Sequence, residues 1–102
     1  MTTVVSARFK VHEDSWDDYL EAAKLIIPAT RQEDGCVHYG IAMDLIEDHV
    51  VWFTEEWESE EHLMVHLGQP HVTDFIAKAT ELQILDAEVK KYTVSEVGTI
   101  GV

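Results

Sequence analysis

The residues best suited to acid–base chemistry cluster in the second half of the chain. Glu55, Trp57, His62, His66, His71 and Phe75 follow one another within about two dozen positions. The alternation Val51, Phe53, Glu55, Trp57 sets a carboxylate in an apolar row of a strand. A carboxylate between Phe53 and Trp57 must be paired or protonated, since burying a lone charge is costly. Two readings follow: a structural carboxylate bonded to a histidine or a backbone N–H, or a group that touches substrate. His66 and His71 flank the break Gly68-Gln69-Pro70, and imidazoles move protons near neutral pH. His71, one residue past Pro70, also suits capping or packing. Tyr39, Phe53, Trp57 and Phe75 serve as core or as the walls of a pocket for a flat aromatic molecule.

A metal reading is weaker. His62 and His66 stand four apart on one helix face, with Glu58 extending the row. Leu63 occupies the place where a zincin helix carries its glutamate, so no metal site is expected there.

Positioning these groups requires strands and helices in a definite order. Val5, Ala7, Phe9 and Val11 alternate with Ser6, Arg8 and Lys10, which predicts a strand with one buried face. His12-Glu13-Asp14-Ser15 supplies capping groups for a helix carrying Trp16, Tyr19, Leu20, Ala23 and Ile27. That helix should end near Asp34-Gly35, and Pro28 should kink or divide it. Cys36 to Leu45 predicts a second strand, with Val37, Tyr39, Ile41, Met43 and Leu45 on one face. Glu47-Asp48-His49 connects it to a returning strand from Val50 to Trp57. A helix from about Ser59 with Leu63, Met64 and Leu67 on its apolar side precedes the break, and Pro70 opens another carrying Val72, Phe75, Ile76, Ala79 and Leu82. A final strand runs from about Ile84 to Val97. The order β-α-β-β-α-β predicts a ferredoxin-like α+β fold, an antiparallel sheet with helices on one face. The uncovered face, with Val4, Cys36, Ala42, Val50 and Trp52, calls for cover. A homodimer packed sheet to sheet through Val50 and Trp52 supplies it.

Composition narrows the function. The chain has 102 residues, one domain's length, with 46% hydrophobic residues. A folded area of roughly 5,800 Å² against roughly 17,000 Å² unfolded allows one modest core. Twenty acidic residues against seven basic ones give a charge of -13, which repels phosphate backbones and anionic lipid. Nucleic acid and membrane are therefore not expected partners. The N-terminus shows no secretory pattern and Cys36 is the sole cysteine, so the expected location is cytoplasmic. The five glycines form neither a dinucleotide fingerprint nor a P-loop. No paired-cysteine motif and no Gly-x-Ser-x-Gly elbow occurs.

Three stretches share a pattern with one family. Glu33-Asp-Gly-Cys-Val-His-Tyr39, Glu55-Glu-Trp57, and His66 through Pro70-His71, with Phe75 beyond, resemble the antibiotic biosynthesis monooxygenases. The resemblance implies a dimeric ferredoxin-like barrel and cofactor-independent oxidation of a phenol, a quinol or a polyketide-type aromatic by O₂. On that reading His66 or Glu55 is the base, and Trp57, Tyr39, Phe53, His71 and Phe75 shape the pocket. A non-catalytic dimeric ligand-binding module with the same pocket is the alternative. Haem-degrading relatives pair the strand tryptophan with a first-strand asparagine and a late-helix histidine. Here Ser6-Ala7-Arg8 and Phe75-Ile76-Ala77 stand in those places, so neither partner is present. A sugar-phosphate isomerase relative shares the Pro-His stretch, but the net charge disfavours a phosphorylated substrate.

Overall fold

The computed structural model covers residues 1–102. Its elements are β1 (Thr2–Val11), a short 3-10 turn (Glu13–Ser15), α1 (Trp16–Arg31), β2 (Cys36–Met43) and β3 (Val50–Trp57). They continue with α2 (Glu60–Leu67), α3 (Pro70–Thr80) and β4 (Ile84–Val94). The strands form one antiparallel sheet in the order β2-β3-β1-β4. This is the expected ferredoxin-like α+β arrangement. No helix is long and apolar enough to cross a membrane.

Register explains how the core forms. Thr3 lies opposite Trp57, Val5 opposite Glu55 and Ala7 opposite Phe53, so one face of the two central strands carries the buried row. Tyr39 of β2 also lies opposite Glu55. Against this face pack Tyr19, Ala23 and Ile26 of α1, Leu63 of α2 and Val72 of α3. The helix ends are held as their sequences suggest. The His12 ring accepts from the Asp14 N–H, and the Ser59 hydroxyl accepts from the His62 N–H.

Several local expectations are corrected. Pro28 does not divide α1, which runs unbroken from Trp16 to Arg31. Lys24 and Pro28 are both exposed, so water can satisfy the Lys24 carbonyl that Pro28 leaves without an N–H. A bulge between Cys36 and His38 breaks the strict alternation of β2. Cys36 consequently lies opposite Trp57 on the helix side, not on the open face, while Val37 is exposed. Val50, expected to lie uncovered on the open face, is only 1% exposed. β2 stops at Met43, which leaves Leu45 in the connection, and β4 stops at Val94.

That connection is organised by Asp44. One carboxylate oxygen accepts from the N–H groups of Ile46 and Glu47, and the other accepts from the Trp52 indole at 2.9 Å. The Glu47 N–H, the Trp52 indole and the Ile46 N–H together lower the Asp44 pKa to about 2. Because the folded pKa is depressed, the stabilisation is complete above the ordinary carboxylate value and is lost as pH falls toward that lower one. Asp44→Ala should therefore melt below the parent at neutral pH, and the gap should close as pH falls through about 2. A gap independent of pH in thermal melts would show that the carboxylate charge contributes nothing.

Candidate active site

Glu55 sits where strand alternation sends it, on the helix-facing side of β3 between Val5 and Tyr39. It is 7% exposed. Its Oε1 accepts a hydrogen bond from the Trp57 indole at 3.0 Å. Burial raises its pKa above the ordinary carboxylate value, and the Trp57 bond and nearby His66 only partly oppose that.

His66 approaches from α2. The expected apolar side of this helix, Leu63, Met64 and Leu67, faces an apolar cavity between the sheet and the later helices. Leu63 and His66 are buried, while Met64 and Leu67 line the cavity and stay partly open to solvent. The His66 ring stacks obliquely on Trp57 at 4.6 Å between centroids and lies 5.6 Å from the Tyr39 ring. Its Nε2 is 3.9 Å from Glu55 Oε1, which is too long for a hydrogen bond. The carboxylate of Glu55 is thus compensated by the indole, not directly by a histidine. His66 is anchored at its other nitrogen, with Nδ1 2.6 Å from Glu33 Oε2. The same oxygen receives His71 Nε2 at 2.9 Å. With Glu33 ionised, both imidazoles donate to it, and His66 Nε2 is left as a proton acceptor facing Glu55.

A cavity of about 350 Å³ opens beside Glu55 between the sheet and the two later helices. Among the expected site residues, Glu55, Tyr39, Phe53 and Phe75 line it. The Phe53 and Phe75 rings are 6.1 Å apart, and Tyr39 meets Phe53 edge-on at 6.4 Å. Burial also pushes the Tyr39 phenol far above its usual pKa, so it stays protonated. Trp57, His66 and His71 do not line the cavity. Trp57 is fully buried behind Glu55, and His71 lies at the α1–α3 groove. Leu63, Met64, Leu67, Val72 and Val89 are among the other lining residues and carry no chemical signal that would single them out in sequence, and Lys91 adds a second charged side chain.

The sequence profile of antibiotic biosynthesis monooxygenases matches residues 2–78. The chain belongs to that family. Over 98% of its length it superposes on 99% of a Deinococcus radiodurans structure described as a putative antibiotic biosynthesis monooxygenase. The TM-score is 0.90 and the identity 26%. It is 26% identical over 93 residues to "Putative monooxygenase YcnE" of Bacillus subtilis, covering 91% of this chain and 98% of YcnE. It is also 30% identical over 97 residues, 95% of this chain, to an uncharacterised Synechocystis protein, of which it spans 66%.

Within this family member, Glu33 is the site residue that sequence reasoning left without a role. It was visible as the first position of the matched Glu-x-Gly-Cys turn. Nothing local revealed that the turn faces two histidines more than thirty residues away. Gly35 makes the placement possible. Its φ is 79°, and a Cβ there would overlap the ring of His62, which Ser59 holds at 2.7 Å. Gly35→Ala should lower stability by about 1–3 kcal/mol. An unchanged midpoint in urea unfolding would show that the turn adapts freely.

Proposed function

We propose that this protein oxidises a small electron-rich aromatic, a phenol or a quinol, with O₂ and needs no resident redox cofactor. The observation that carries this reading is a desolvated carboxylate, Glu55, on the wall of a mainly aromatic and aliphatic cavity whose one other charged lining residue is Lys91. Glu55 takes the phenolic proton, and its raised pKa makes it a stronger base than a solvated carboxylate. His66 Nε2, 3.9 Å behind it, receives that proton after a small approach. Glu33 supports the imidazolium, much as a buried carboxylate does in a hydrolase triad. The phenolate passes one electron to O₂, and the two radicals join through a new carbon–oxygen bond. The peroxide takes up a proton and then loses water as its O–O bond breaks. One oxygen atom stays on the ring as a quinone carbonyl, and the other leaves in water. Apolar walls keep bulk water from the radical pair.

The active unit in this reading is a homodimer joined through the open sheet face around Trp52. The isolated chain exposes 6768 Å². That is about 1,000 Å² more than a folded monomer of its mass presents, close to one partner's share of a standard interface. Trp52 and Tyr92 are among the exposed side chains, 37% and 49% accessible. Val50 has too little free surface to contribute, which corrects the two-residue interface expected from sequence.

Two tests follow. In Glu55→Gln the amide oxygen still accepts from Trp57, so the fold should persist while oxygen uptake with a quinol panel falls by about 10²–10⁴. Wild-type protein inert toward the whole panel, or a Glu55→Gln variant as active as wild type, overturns the catalytic reading. Trp52→Glu should raise the dimer dissociation constant at least about a hundredfold, because it buries an unpaired charge. A wild type that sediments as a monomer at micromolar concentration removes the dimer.

A further inference from the structure

Beside the apolar cavity, and sharing none of its lining, three donor atoms converge. Glu33 Oε2, His66 Nδ1 and His71 Nε2 all lie within 4.8 Å of one another. We propose that Glu33, His66 and His71 form a site for a divalent transition-metal ion of the zinc class. This goes beyond the oxidation proposed above and does not depend on it.

The donor set suits the ion. Two imidazoles and a carboxylate are ligands that zinc accepts, and three protein donors leave a tetrahedral position for water. At metal–ligand distances of about 2.0–2.1 Å, tetrahedral ligand atoms stand about 3.3 Å apart. The observed separations from Glu33 Oε2 are 2.6 Å and 2.9 Å. These two contacts must therefore open by less than about 1 Å, and the two imidazole nitrogens, within 4.8 Å of each other, must settle to the same spacing. The donors are sheltered, with side chains 11% exposed for Glu33, 3% for His66 and 23% for His71.

A second feature points to a cation. Glu33 also lines a surface cleft of about 420 Å³ together with Asp34, Glu61 and His62. On a chain of net charge -13, the carboxylates of this cleft attract cations to the Glu33 side of the cluster. Ligation at His66 Nδ1 leaves the ring proton on Nε2, 3.9 Å from Glu55 Oε1 and beyond hydrogen-bond reach. The metal-bound imidazole therefore cannot also take a proton from Glu55, so ion binding and the proton relay proposed above exclude each other at this ring. The donors come from the turn after α1, from α2 and from α3, so a bound ion would tie three elements together.

The test uses EDTA-treated full-length protein titrated with Zn²⁺ in a calorimeter. One equivalent should bind, and the melting temperature should rise with added Zn²⁺. Glu33→Gln and His71→Ala should each weaken binding by more than about a hundredfold, the most that loss of an outer-shell partner alone brings. His71 is partly exposed, so its variant is the one expected to fold normally if Glu33→Gln does not. No binding to wild type overturns the proposal. So does one-to-one binding that both variants retain undiminished, because it would lie elsewhere on the surface. Neither readout involves turnover, so a protein that binds Zn²⁺ yet oxidises nothing separates this site from the proposed reaction.

Discussion

One carboxylate oxygen holds the helical layer in register with the sheet. Glu33 Oε2 receives an imidazole from α2 and another from α3, and its own backbone lies in the turn that feeds β2. Charge-assisted hydrogen bonds of this kind are stronger than neutral ones, and removing one partner leaves the others unsatisfied. The orientation of His66 follows from this contact. So does the stacking of His66 on Trp57, and with it the direction in which the Trp57 indole reaches Glu55. The chemistry of the cavity wall is thus set from behind, by a residue that does not line the cavity.

Keeping Glu55 dry lowers stability. A carboxylate bonded to one indole N–H has fewer partners than water would give it, and its raised pKa records the deficit. The neighbouring core offsets this only in part. Phe75 and Ile76 are incompletely covered, since the space between the sheet and α3 is cavity and not side chain. Protein interiors normally close such gaps. Here a packing deficit and an undersatisfied carboxylate occur side by side, the pairing expected where structure yields to ligand binding.

Much of this was legible in the chain itself. Period-two alternation located β1 and β3, and it put Glu55 and Phe53 on the correct face because both strands pair without interruption. Pro70 and Ser59 marked the starts of α3 and α2 through local backbone chemistry. What alternation could not supply was the bulge after Cys36. One extra residue there moved Cys36 across the sheet and left Val37 in solvent. Hydrophobic patterning also gave no sign that His66 of α2 is buried, beside a side of the helix whose Met64 and Leu67 line the cavity. A polar partner on another element, Glu33, makes burying the imidazole favourable. Long-range pairings of this sort leave no periodic trace.

β4 lies at the edge of the sheet, hydrogen-bonded to β1 on one side only. An eleven-residue edge presents a ladder of free backbone donors and acceptors, the template on which misfolded chains stack. Leu85, Val89 and Tyr92 add exposed apolar surface to the hazard. Charges interrupt it: Asp86, Glu88, Lys90 and Lys91 are spread along the strand. Lys90 pairs with Glu88, and Lys91 reaches across to Glu60 of α2. An arriving strand would have to strip water from these groups and match their signs before it could extend the sheet. The charge pattern of β4 therefore guards the protein against self-templated aggregation at its most vulnerable margin.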